Sequence, residues 1–207
     1  MDEAFSAYRV AYARTAGRSL AMPIAGALVW LAFAIAGALL PERQAGLVML
    51  FGSGVIFPLG LLLARVLGED LLSRDSPFAR LMGASTLMVN LLWPLHIVLF
   101  LQDPDLLPLT LGVGLGLHWI VFGWIVRHPV GLFHAIARSV LLPVLWVAFP
   151  DSRFVALPGA VTVVYVVTIV ILVRRADAPE ARASLGAGVQ FTGERGPFRS
   201  RSHAFRS

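Results

Sequence analysis

Five polar side chains set into otherwise apolar runs define what chemistry this chain could support: Arg138, His134, His118, Asn90 and Tyr165. A guanidinium brings a permanent charge and five N–H donors, so it is a receptor for anions, and imidazole, amide and phenol groups can donate or accept around it. The runs that hold these residues contain no Asp, Glu or Cys. Paired-carboxylate proteolysis, carboxylate-bridged metals and proton relays through acids are therefore excluded within them. Ser53, Ser85 and Ser139 lack a triad context, and a chain with no Cys has no disulfide, thiol nucleophile or thiolate metal site. The expectation is a non-enzyme with no cofactor, no catalytic residue and no metal ligand. Its candidate substrate-binding residues are Arg138, His134, His118, Asn90 and Tyr165.

Arg138 carries the most weight. An Arg at the centre of a membrane helix costs roughly 2.5–3.5 kcal/mol on the insertion scale, and flanking Val, Leu, Ile and Phe return about 0.3–0.6 kcal/mol each, so the helix still inserts. Snorkelling carries the guanidinium only part of the way to an interface. Inside the bundle it needs acceptors: proline-freed carbonyls, Asn90, a neutral His118 or His134, water or a bound anion.

The elements that must position these groups follow from hydropathy. Hydrophobic residues make up 57% of the 207, charged residues 14%, and the mean hydropathy is +0.78, an apolar load that a soluble chain of this length could not hide. Uncharged stretches of about 20 residues match the roughly 30 Å hydrocarbon core. They predict an all-α, polytopic transmembrane helix bundle with six spans at 20–40, 45–64, 81–102, 106–126, 129–149 and 154–173. The links are too short for anything but antiparallel neighbours. Fourteen of the 17 Arg lie at the termini, in loop 65–80 or at Arg127, on one side of this topology, against Arg43 and Arg153 on the other. The positive-inside rule then predicts both termini in the cytoplasm. Every basic residue is Arg and none is Lys, read here as the coding bias of a GC-rich bacterial genome, which points to a bacterial inner membrane.

Outside the spans, residues 1–19 form a cytoplasmic segment that could lie as an interfacial helix, Phe5, Tyr8 and Tyr12 facing lipid. Residues 174–207 are Arg-rich and poor in large apolar groups, which predicts a disordered cytoplasmic tail. Its positive charge could attract anionic lipid; no nucleic-acid partner is expected, and the oligomeric state is open.

Counted inward from the expected cytoplasmic ends, Asn90 and Arg138 lie at about 13.5 Å and His118 and Tyr165 at about 12 Å, with His134 one turn below Arg138. Thr162, Tyr165 and Thr168 form a polar stripe on the last span. Pro58, Pro94 and Pro143 are deep enough to kink their helices and free the carbonyls of Gly54, Asn90 and Ser139. Gly112, Gly116 and Gly123 share a face, a pattern that signals close helix packing.

Phe57-Pro58-Leu59-Gly60 and Asn90-Leu91-Leu92-Trp93-Pro94-Leu95 resemble a family of small uncharacterised bacterial membrane proteins with a domain of unknown function. The resemblance implies a bundle of about six helices and carries over no activity and no functional residue. Three classes of function remain. One is a small transporter or channel-like protein for an anionic solute received by Arg138. Another is a structural or interaction protein whose polar layer locks the bundle. The third is a haem protein using His118 with His134 or His96, for which no ligation signature exists.

Overall fold

The computed structural model describes Tyr8, Val10, residues 19–69 and residues 77–176. The interfacial-helix expectation and the tail beyond Ala176 fall almost wholly outside these residues. All regular structure among them is helical, and six helices are long and apolar enough to cross a membrane. The first is α1 (Ala21–Leu39). The second is α2 (Glu42–Gly52), a 3-10 turn at Ser53–Val55, and α3 (Ile56–Leu67). The third is α4 (Pro77–Asn90) followed by α5 (Trp93–Gln102), and the fourth α6 (Leu106–Gly114) followed by α7 (His118–Val126). The fifth is α8 (Val130–Ala148), and the sixth is α9 (Arg153–Ala176).

Three of the six spans are interrupted. The 3-10 turn before Pro58 and the turn at Leu91 and Leu92 before Pro94 are where a missing proline N–H would leave the α ladder incomplete. At the first break Ser53 Oγ donates to the Leu50 carbonyl at 2.8 Å. Pro143 behaves differently, because α8 runs through it as one helix. The break in span four has no proline: the N–H groups of Gly116, Leu117, Trp119 and Ile120 each bond to the carbonyl three residues back, so the chain tightens into a 3-10 turn there.

Glycines set how closely the helices approach. On α1, a Cβ at Gly26 would lie 2.4 Å from Tyr165 Cζ and one at Gly37 would lie 2.1 Å from the Phe154 carbonyl oxygen, so a small-residue face of α1 seats α9 in antiparallel register. The α7–α8 hairpin is tighter still. Arg127 closes it in the left-handed region at φ 51°, and a Cβ at Gly131 would lie 2.1 Å from the Trp119 carbonyl oxygen and 2.6 Å from Gly123 Cα.

Polar clasps hold both ends of the bundle. The Glu69 carboxylate, just past α3, accepts from Ser19 Oγ at 2.6 Å and from the backbone N–H of Leu20 and Ala21 at 2.8 and 3.2 Å. It serves as the N-cap that α1 lacks in its own sequence. At the opposite end Arg153 pairs with Asp105, donates through Nε to the Trp146 carbonyl and stacks 3.9 Å over the Trp146 ring, while Trp146 Nε1 donates to the Asp105 carbonyl. Outward faces are rich in exposed Leu, Ile, Val and Phe, among them Leu28, Leu31, Ile35, Val140 and Val147. Such a continuous apolar surface suits lipid and would be a liability in water.

Candidate functional site

The site is built on the inner face of α8, where His134, Arg138 and Leu142 follow one another at successive turns and all have 0% exposure. The glycine stripe of span four is the seat for this face. A Cβ on Gly112 would meet Leu142 Cδ1 at 2.6 Å, one on Gly116 would meet Arg138 Cδ and Nε at 3.1 Å, and Gly123 lies against Gly131. Each step forward along span four is matched by the same step back along α8. The expected packing role of Gly112, Gly116 and Gly123 therefore takes a particular form: Gly116 makes the room that the guanidinium stem occupies.

Arg138 Nη1 lies 3.3 Å from His134 Nε2, and His134 Nδ1 lies 2.9 Å from Thr168 Oγ1. Arginine cannot accept a hydrogen bond, so Nε2 must be the acceptor and the imidazole must be neutral with its proton on Nδ1. Thr168 Oγ1 then accepts from His134 and donates its own proton to the Val164 carbonyl at 2.8 Å. The result is a chain of donors running one way, from Arg138 through His134 and Thr168 into the backbone of α9.

Aromatic rings enclose this chain. Trp119 stacks on His134 with centroids 4.2 Å apart and planes at 19°, and Tyr165 meets the same imidazole edge-on at 4.7 Å. Arg138 Cζ lies 5.2 Å from the Trp30 ring and 5.7 Å from the Tyr165 ring, within range of a cation–π attraction. Polar capacity is left over. Arg138 Nε and Nη2, Trp30 Nε1, Trp119 Nε1 and the neighbouring His118 Nδ1 are buried with no hydrogen-bond partner.

Of the residues proposed from sequence, Arg138, His134 and Tyr165 meet in this cluster. His118 is half-buried next to it, its ring 6.0 Å from that of Trp119. Asn90 stands apart: its side chain is exposed, and Nδ2 donates to the Thr86 carbonyl one turn back at 2.7 Å. Sequence reasoning did not single out Trp30, Trp119 or the His134–Thr168 bond. The available signal was two Trp deep inside spans, since Trp is otherwise enriched at membrane interfaces.

Residues 5–175 match a family of unknown function, DUF7010. The chain belongs to DUF7010. No curated protein and no solved structure matches it. The DUF7010 match takes in all six spans of this chain and so the whole Arg138 cluster. Both ring nitrogens of His134 are engaged, whereas His96 bonds Thr110 Oγ1 through Nδ1 at 3.2 Å and keeps Nε2 buried without a hydrogen-bond partner; no group of three or more His, Asp or Glu that could hold a metal occurs among the described residues.

Proposed function

We propose that this protein is an integral membrane protein that holds a small anion at Arg138 in the bundle interior, as a transporter or channel for an anionic solute would. The observation that carries the reading is a fully buried guanidinium with Nε and Nη2 unpartnered. Its hydrogen bond to a neutral imidazole at 3.3 Å is at the long end of the range and contributes at most about 1.5–3 kcal/mol, and the side chain of Tyr165 interacts with the guanidinium as well. Two cation–π contacts add up to about 2 kcal/mol each when desolvated. Against these stand a desolvation cost of several kcal/mol for a buried ion and a further penalty of about 1–3 kcal/mol for each donor left unmade. The two donors without partners leave capacity for a further acceptor, and in this reading a negatively charged one fills it. Glu69 and Asp105 are committed elsewhere: Glu69 caps α1 and Asp105 pairs with Arg153. The Arg distribution supports an orientation with both termini in the cytoplasm of a bacterial inner membrane.

The alternative is a structural or interaction protein in which Arg138 only locks α8 to α9 and α1. Its complete enclosure between Gly116, Trp30 and Tyr165 favours that reading. Melting of detergent-purified wild type and Arg138→Leu across a panel of anions separates the two. An anion site gives wild-type stabilisation that the variant loses. A scaffold gives a variant altered in stability, with neither protein responding to anions.

A further inference from the structure

Resting on the anion-site reading, we infer that the ligand is a planar oxyanion, a carboxylate or an ion of nitrate or bicarbonate geometry, gripped edge-on by Nε and Nη2 of Arg138. A guanidinium presents parallel pairs of N–H bonds, and the pair formed by Nε–H and the Nη2–H on the same side is a complete fork for two oxygens in one plane. Which nitrogen His134 engages therefore decides what remains. It engages Nη1, the one nitrogen outside that fork, and the two nitrogens of the fork are the two that are buried without partners. A bond to Nε or Nη2 would have occupied a member of this edge.

The surroundings are arranged to keep that edge in place. His134 is a positioning residue: it holds the guanidinium by its third nitrogen and is itself oriented by Thr168 and by the stacked Trp119 ring. Gly116 lets the Nε end pack against the backbone of span four, where a Cβ would stand 3.1 Å from Nε and push the guanidinium out of place. The unpartnered N–H groups of Trp30 and Trp119 belong to rings that flank the guanidinium and its imidazole partner. A halide is a point acceptor and gains little from a second parallel N–H, so the fork should favour the oxyanion by about tenfold or more.

The test is a set of separate thermal-stability titrations of the full-length, detergent-purified protein with formate, nitrate, chloride and bromide at matched ionic strength, on wild type and Arg138→Lys. Expected are wild-type midpoints for formate and nitrate at least about tenfold below those for the halides, converging to within about threefold in the Lys variant, which keeps the charge and loses the fork. An octanoate arm distinguishes two sources of the same chemistry. Octanoate no better than formate assigns a free ion, a clear gain assigns a fatty acid, and both uphold the fork. Halides equal to or better than oxyanions in wild type would overturn the fork while leaving an anion site, as would a Lys variant that keeps the preference. No response of wild type to any anion would overturn the site itself. If the Lys variant fails to fold, the wild-type ratio alone decides.

Discussion

Replacing Thr168 by Val tests the directed donor chain at its most vulnerable link. The change conserves volume and removes one oxygen, which accepts from His134 Nδ1 at 2.9 Å in a site with 0% exposure for both residues. The Val164 carbonyl loses little, because it already serves the α-helical ladder. His134 loses its acceptor and cannot escape by moving its proton to Nε2, since two donors would then face each other across 3.3 Å with Arg138. A buried donor left unsatisfied costs about 1–3 kcal/mol. At about 2–4 °C per kcal/mol for a chain of this size, the expected fall in melting temperature is about 2–12 °C. Detergent unfolding is often irreversible, so melting should be compared at one scan rate. The control is a double-mutant cycle with His134→Phe, which keeps a ring between Trp119 and Tyr165 and has no N–H to orphan. In that background Thr168→Val should cost less than about 0.5 kcal/mol, leaving a coupling of about 1–3 kcal/mol. A neutral Thr168→Val in wild type, or an equal cost in both backgrounds, would refute the assigned tautomer and the chain with it.

Gly131→Ala should prevent assembly of the α7–α8 hairpin, because its Cβ would lie 2.1 Å from a backbone oxygen; Gly159→Ala, with nothing within 4 Å, should be silent, and the yield of monodisperse protein on size exclusion reads the contrast. Glu69→Ala should lower stability by about 1–2 kcal/mol through loss of the α1 cap, seen as a lower melting temperature and as proteolysis near Ser19. If the variant melts like wild type, the clasp is ornamental. Reporter fusions at Asp75 and after Ser207 should read cytoplasmic and one at Pro104 external; the opposite pattern would reverse the proposed orientation.

The span count was legible because an uncharged apolar run of about twenty residues is the length that a bilayer core demands of a helix, and the glycine stripe because G-x-x-x-G spacing constrains a face whatever it meets. What it meets was not legible. Depth along a helix can be counted from its ends, but rotation depends on which face the neighbours bury, and Asn90 shows the consequence. Counting from the span ends puts it in one layer with Arg138, yet it satisfies its own amide on the Thr86 carbonyl one turn back and can therefore face outward. Arg138 has no such exit. Five donors and a charge exceed what one helix backbone can absorb, so Arg138 had to face the interior, as its 0% exposure records. The prolines divide for a comparable reason. Pro58 and Pro94 coincide with turns where α segments end, whereas Pro143 lies in the turn after Leu142, which is locked against Gly112, and α8 continues through it.

Span four also closes the cluster around Arg138. The guanidinium stem rests on Gly116, and Gly116 lies within the 3-10 turn that divides α6 from α7. Trp119, one turn on, covers His134. Span four thus brings its weakest hydrogen bonding to the place where the cluster is closed, while α7 beyond it is fixed to α8 by the Gly123–Gly131 contact, which has no slack.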